Sequence, residues 1–273
     1  MKSRQPATAM KLSINSLAIF IVATLYTNVA EVLAAEDTLT LTGRYWDCCK
    51  PSCGWDNKAD FGSPVQSCDA RNKPLSDFNA GTGCNGGTAY ACSNQSPWAV
   101  NDTFAYGFAG TYLKGVLEDA WCCSCYELKF TTGNLTGKTM TVQTSNTDYD
   151  VLNDNMFTLA IPGGNNSDYG ACDGQYNIDN SVFGSSGTGV SSVEDCDNLP
   201  DAQQEGCRFR FTWLQDIDRP QANFRRVQCP VELTNITGCI RNDDTNFANS
   251  ASRHVFPSTL VSSIIFMGLF PFI

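Results

Sequence analysis

Fourteen cysteines constrain this chain more than any other feature of its 273 residues. Their number is even, and they run from Cys48 to Cys239 without a long gap. In an oxidising compartment such a set forms a disulfide framework. Zinc is the usual alternative, but zinc sites favour paired cysteines, often with histidine, and the single histidine, His254, follows the last cysteine. We therefore expect disulfides, no metal and no cofactor.

The N-terminal segment, residues 1–34, predicts export. Lys2, Arg4 and Lys11 precede a mostly apolar stretch, and the small residues Val32 and Ala34 fit a signal-peptide cleavage site. Polar residues interrupt the stretch, which makes it a poor transmembrane helix. We expect a signal peptide and a secreted protein.

The C-terminal segment, residues 251–273, resembles a signal for attachment of a glycosylphosphatidylinositol (GPI) anchor. Small residues at 249–251 precede a short polar spacer and an almost wholly apolar run over 258–273. Such an anchor would be the chain's only association with a membrane. The alternative is an apolar tail that docks on the body. Residues 35–250 then form one domain, which we expect to be a monomer.

Short alternating stretches separated by Gly, Asn, Asp and Ser predict a domain made mainly of strands. The predicted strands lie at 126–130, 140–143, 208–213 and 224–229. The predicted helices lie at 101–117 and, more weakly, at 193–198. Many short strands with many cysteines indicate a small β-barrel or sandwich.

The scarcity of histidine and the formal net charge of −10 exclude whole classes of function. Ser-His-Asp and Cys-His mechanisms need an imidazole base, and no histidine lies between the first and last cysteines. Acid–base chemistry must therefore use Asp, Glu, Tyr or Lys. The negative charge argues against nucleic acids and anionic membranes as partners and suits a neutral polysaccharide.

A series of specific motifs runs through the domain. It begins with RYWDCCKPSCGW at 44–55 and continues with AYAC at 89–92, PWAVND at 97–102, WCCSCYEL at 121–128, IPGG at 161–164, QCPVEL at 228–233 and GCIRND at 238–243. This series resembles the glycoside hydrolases of family 45. The resemblance implies an all-β-dominated fold, a six-stranded double-psi β-barrel with long disulfide-stapled loops, a few short helices and an open groove. It also implies endo-β-1,4-glucanase (cellulase) activity, with inversion, on cellulose or a related wall glucan.

The resemblance also implies the disulfide pairing, which cysteine arithmetic alone leaves open. The implied bridges are Cys48–Cys172, Cys49–Cys84, Cys53–Cys122, Cys68–Cys92, Cys123–Cys239, Cys125–Cys229 and Cys196–Cys207.

Inverting hydrolysis needs two carboxyl groups, one to protonate the leaving oxygen and one to activate a water. The resemblance assigns Asp47 as the general base and Asp150 as an assisting carboxylate on a mobile loop. Asp47 could instead merely cap a turn. At the position of the general acid stands Thr158, whose hydroxyl can donate a hydrogen bond but cannot deliver a proton at useful pH.

The threonine predicts weak or lost activity unless another carboxyl group acts as the acid. Asp148, Asp154 and Asp168 lie nearby in the sequence and could in principle reach the groove. Three functions stay open: a cellulase, a non-hydrolytic, expansin-like protein that binds or loosens walls, and a disulfide-rich surface protein that binds no sugar.

Aromatic residues and sequons complete the predicted surface. Tyr45, Trp55 and Phe209 are expected to stack on glucose rings, with core packing equally good for Phe209. A sequon at Asn94 is weakened by Pro97. The sequons expected to carry glycans are those at Asn101, Asn134, Asn165 and Asn235.

Overall fold

The structure is a computed structural model that describes residues 38–149, 154–166 and 169–248. The predicted signal peptide, the predicted anchor signal, Asp150 and Asp168 lie outside these residues. The described strands are β1 (Thr38–Tyr45), β2 (Ser67–Cys68), β3 (Tyr90–Ala91), β4 (Trp98–Ala99), β5 (Phe104–Tyr112), β6 (Cys125–Phe130), β7 (Thr139–Thr147), β8 (Met156–Ala160) and β9 (Gln221–Val227). The described α-helices are α1 (Glu118–Trp121), α2 (Cys172–Tyr176), α3 (Asp201–Thr212) and α4 (Val231–Thr237).

Six strands close into a barrel in the order β5-β7-β6-β9-β1-β8, with β8 pairing back to β5. The β1–β8 and β5–β7 pairs are parallel, and the other pairs of the barrel are antiparallel. β4 pairs with the start of β5, whereas β8 pairs with its end. This architecture confirms the predicted six-stranded barrel with a few short helices.

Large apolar side chains fill the barrel. The rings of Tyr126, Phe157 and Phe224, from three different strands, lie with centroids 5.1–5.9 Å apart. In β8, Phe157 and Leu159 are fully buried in this core. Because side chains alternate along a strand, Thr158 between them faces the other side of the sheet. The strand that helps fill the core thus also presents Thr158 on its outer face.

Seven disulfides form, with the pairing that the resemblance implies, and the described residues include no free cysteine. Three of them start within a span of six residues, at Cys48, Cys49 and Cys53. Their partners lie far apart in the chain, which anchors this irregular segment after β1 at three points.

The strand predictions at 126–130 and 140–143 are confirmed by β6 and β7, and the one at 224–229 overlaps β9. The weak helix at 193–198 is a 3-10 helix at Glu194–Asn198.

The helix predicted at 101–117 is wrong, because β5 occupies its centre. β5 packs in two core clusters, with Ala105 and Ala109 in one and Phe108 in the other, so both of its faces are buried and its sequence carries no clear period. Its aromatic content favours a strand. Gly107 also needs to be small, since a Cβ there would run into Met140 and Pro97.

The strand predicted at 208–213 is also wrong, because these residues end helix α3. Phe209 and Trp213 are four residues apart, which places them on one face of the helix. Their rings stack with centroids 5.2 Å apart and planes 13° apart. The short polar–apolar alternation does not follow exposure, because Arg210 is buried in an ion pair with Asp216, whereas Phe211 is only partly buried.

Candidate active site

An open groove of about 840 Å³ is lined by the ends of β1 and β7, by β5 and β8, and by the loops that follow or flank these strands. It contains the predicted residues Tyr45, Asp47, Trp55 and Thr158. Among the described residues that line it, the carboxylates are those of Asp47 and Asp148. The groove is therefore where acid–base chemistry has to be sought.

Asp47 lies two residues beyond the end of β1, in the segment anchored by disulfides. Its Oδ1 accepts a hydrogen bond from the Cys49 N–H at 2.9 Å, and its carbonyl accepts one from the Ala171 N–H at 2.8 Å. Asp47 thus does cap a turn, as the alternative interpretation held, and it also lines the groove. Burial raises the pKa of its carboxyl above the ordinary value because the charged form is desolvated. Once ionised, this carboxylate is a stronger base than an exposed aspartate.

Tyr45 adjoins this base. Burial and, secondly, the negative charge of Asp47 raise the pKa of the Tyr45 phenol. Side-chain hydrogen bonds with Asn146 and Ser145 oppose that shift. The phenol therefore stays neutral over the whole pH range in which a secreted enzyme works.

Trp55 is fixed against a buried cation. The Lys50 Nζ lies 3.4 Å from the centroid of the Trp55 ring and donates to the carbonyls of Phe78 (2.7 Å) and Ala80 (3.0 Å). Burial lowers the pKa of Lys50, while the nearby charges of acidic residues oppose that shift. An aromatic ring held in this way presents an ordered apolar surface to the groove.

Phe209 does not belong to the groove. It is 4% exposed and packs in the core against Trp213, so core packing, the alternative weighed from the sequence, is what the structure has. Two exposed tyrosines, Tyr149 (64%) and Tyr169 (79%), line the groove instead. Sequence reasoning missed both because they lie in loops and outside the motifs.

Thr158 and Asp148 meet in the groove. The Thr158 hydroxyl donates a hydrogen bond to Oδ2 of Asp148. Asp148 directly follows β7, and its backbone N–H donates to the Thr111 carbonyl at 3.2 Å. Gly110 of β5 pairs with Asn146 of β7 on one side and with Thr158 of β8 on the other. The Asp148 side chain thus spans β5, at a residue with no side chain, to reach β8.

The end of β7 is held by a hydrogen-bond network. Thr147 Oγ1 donates to Glu118 Oε1 at 2.7 Å and accepts from Trp121 Nε1 at 3.2 Å. Glu118 also forms an ion pair with Lys58 at 2.7 Å. The residue before Asp148 is therefore tied to α1, which limits how far Asp148 can move.

Two further findings bound the chemistry of the described part of the chain. It has no group of three or more His, Cys, Asp or Glu side chains placed to hold a metal ion. Nor does it contain a helix with the length and apolar character needed to span a bilayer.

Comparison with known proteins decides the family. The model of glycosyl hydrolase family 45 matches residues 40–240. The chain belongs to this family. A protein of Fusarium oxysporum named "Putative endoglucanase type K" is 48% identical over 205 residues, which cover 75% of this chain and 54% of that protein. An endoglucanase of the springtail Cryptopygus antarcticus is 40% identical over 217 residues, which cover 78% of this chain and 96% of that protein.

A solved family 45 structure gives the same fold. The crystal structure of the cellulase from the Antarctic springtail Cryptopygus antarcticus matches with a TM-score of 0.72 at 38% identity, and covers 76% of this chain and 99% of its own. The chain spans about half the length of the Fusarium relative and nearly all of the springtail one. The family 45 domain is thus the part that they share.

One of the four predicted glycosylation sites lies in the groove, and the other three do not line it. Asn101, Asn134 and Asn235 are exposed. Asn165 lines the groove, where a glycan would obstruct a bound chain. Of the other candidate carboxylates, Asp154 is exposed and is not among the residues lining the groove.

Proposed function

We propose that the protein hydrolyses β-1,4-glucan chains internally, with inversion at the anomeric carbon and with Asp47 as the general base. Family membership makes it a glycoside hydrolase of the cellulase type. The observation that carries the mechanism is Asp47 itself, a desolvated carboxylate on the wall of the groove. Desolvation raises its basicity, which is the property that activation of water requires.

The substrate is proposed from the shape and lining of the groove. An open groove admits the middle of a polymer, whereas a closed pocket admits only its end. Tyr45, Trp55, Tyr149 and Tyr169 offer aromatic surfaces along it, and aromatic rings bind the apolar faces of glucose. The acidic chain suits an uncharged polysaccharide.

The proposed reaction needs one water and two proton transfers. Ionised Asp47 removes a proton from the water, whose oxygen attacks the anomeric carbon as the glycosidic C–O bond breaks. The departing oxygen receives a proton from a general acid on the other side of the bond. The products are two shorter chains, and the new reducing end has the α configuration.

Asp47→Asn tests this function, because asparagine keeps the hydrogen bond from the Cys49 N–H but cannot accept a proton from water. We expect the rate of reducing-sugar release from a soluble β-1,4-glucan to fall about 10²–10⁴-fold. Asp154→Asn is the matched control and should keep the wild-type rate. A fast fall in viscosity per reducing end would show internal cleavage, and NMR of the first product would show the α anomer. Wild-type rates in Asp47→Asn would refute the proposed base.

A non-hydrolytic, expansin-like role in binding or loosening walls is the second candidate. Thr158 favours it, because the position assigned to the general acid from the sequence has no carboxyl group. Binding of cello-oligosaccharides by the wild-type protein without release of reducing ends would support this role over hydrolysis.

The place of action proposed is outside the cell. Seven disulfides support an oxidising compartment. Export by a signal peptide at residues 1–34 and attachment of a GPI anchor near residue 250 are proposals that rest on the sequence pattern alone.

A further inference from the structure

We propose that Asp148 is the general acid of this enzyme, in place of the residue at position 158. The inference rests on the proposed function, since an acid is needed only if the groove cleaves a glycosidic bond. Asp47 and Asp148 are the two carboxyl groups that the described residues contribute to the groove. With Asp47 as base, Asp148 is the carboxyl group among the described residues that is left to donate a proton.

The contact with Thr158 gives Asp148 a defined orientation. Because the hydroxyl of Thr158 binds Oδ2, the proton for the leaving group belongs on Oδ1. Asp148 is 9% exposed and follows a strand end that Glu118 and Trp121 hold in place. A carboxyl group with few rotamers open to it can be aimed at one bond.

Electrostatics explains why an acid at position 148 goes together with a threonine at position 158. A carboxylate at position 158 would lie beside that of Asp148, and two neighbouring negative charges repel each other. Threonine removes the repulsion and supplies a donor instead. When Asp148 has transferred its proton to the glycosidic oxygen, the new negative charge on its carboxylate is stabilised by the Thr158 hydroxyl. Asp148 then regains a proton from solvent as Asp47 releases the one that it took from water.

Substrates with different leaving groups distinguish an acid from a structural residue. A β-1,4-glucan needs a proton on its leaving oxygen, whereas a β-cello-oligosaccharyl fluoride loses fluoride without a general acid. We expect Asp148→Asn to lower the rate on glucan about 10²–10⁴-fold and the rate on the fluoride less than about tenfold. Asp47→Asn should lower both rates, because both reactions need an activated water. Asp154→Asn is the matched carboxylate control and should change neither.

Each other outcome overturns the proposal in a recognisable way. Full activity of Asp148→Asn on glucan would show that another group is the acid, with the role of Asp47 intact. Equal losses on both substrates, with wild-type circular dichroism, would show that Asp148 only supports the fold of the groove. A gain of about 10²-fold or more in Thr158→Asp would show that the wild-type groove lacked an acid. Wild-type protein that cleaves the fluoride but not glucan would lead to the same conclusion, whereas protein inert on both would refute the proposed function as well.

Discussion

Removing the Cys48–Cys172 bridge should destabilise the fold more than removing the Cys196–Cys207 bridge, although the four cysteines are equally buried. Their exposures are 1% for Cys48 and 0% for the other three. Replacing either pair by alanine therefore loses similar packing. The pairs differ in the chain that they close, with sequence separations of 124 and 11.

The magnitude follows from loop-closure entropy in the unfolded chain. The Cys53–Cys122 bridge shortens the path from Cys48 to Cys172, so the effective loop has about 55 residues. Closing such a loop is worth about 4.2 kcal/mol, against about 2.8 kcal/mol for the short loop. The expected difference in the free energy of unfolding is roughly 1.4 kcal/mol. For a domain of this size it corresponds to about 3–5 °C in Tm.

The assay is urea unfolding of the two double-alanine variants without reductant, followed by circular dichroism. Equal losses, or a greater loss for the short loop, would refute the entropic reasoning. Glucan hydrolysis adds a functional measurement on protein that is still folded. The Cys48/Cys172 variant should lose activity because Cys48 adjoins Asp47, whereas Cys196 and Cys207 are not among the described residues that line the groove.

Four further outcomes are expected. Asp47→Asn should raise Tm at neutral pH, because the raised pKa of Asp47 means that its charged form destabilises the folded state. The gain should disappear once the pH falls below the pKa of Asp47 in the unfolded chain, because Asp47 is then protonated in both states. Trp55→Ala should weaken binding of cello-oligosaccharides about tenfold by calorimetry, and Trp55→Phe should weaken it less; unchanged affinity would remove Trp55 from the binding surface. Non-reducing mass spectrometry of the mature protein should find no free thiol, and two or more would contradict the seven bridges. Phosphatidylinositol-specific phospholipase C should release the protein from the cells that make it, whereas a secreted product that ends at Ile273 would exclude the anchor.

The sequence was sufficient where the information is local and specific. The motif at 44–55 contains Asp47, the cysteines that anchor it and Trp55. One short segment of sequence was therefore enough to predict two residues that line the groove. Strand β6 was predictable because the buried Leu128 and Phe130 alternate with the less buried Glu127 and Lys129. In β7 both faces are buried and the alternation is one of polarity, with Met140 and Val142 in the apolar core and the buried Gln143 hydrogen-bonded on the other face. β5 was not, since burial by neighbours on both faces removes the alternation from the sequence.

The contact of Asp148 with Thr158 could not be predicted from the sequence. These residues are ten positions apart, but β5, from a distant part of the chain, lies between their strands. Only the barrel topology brings the end of β7 and the middle of β8 together across Gly110. Asp148 was one of three equivalent loop carboxylates in the sequence; the structure places it in the groove and leaves Asp154 out of the lining, whereas Asp168 lies outside the described residues.

The two carboxyl groups that the described residues contribute to the groove are held by different kinds of interaction. Asp47 lies on irregular backbone, and the bridges of Cys48 and Cys49 fix it to α2 and to a distant loop. Asp148 follows a strand held by backbone pairing and by the side-chain hydrogen bond from Thr147 to Glu118, and the nearest cysteines along the chain are Cys125 and Cys172. Reduction should therefore loosen the segment that carries the proposed base, Asp47, before it loosens the strand end that precedes the proposed acid, Asp148. In the proposed mechanism both carboxyl groups must be correctly placed at the same time, so disulfide formation becomes a condition for activity as well as for stability.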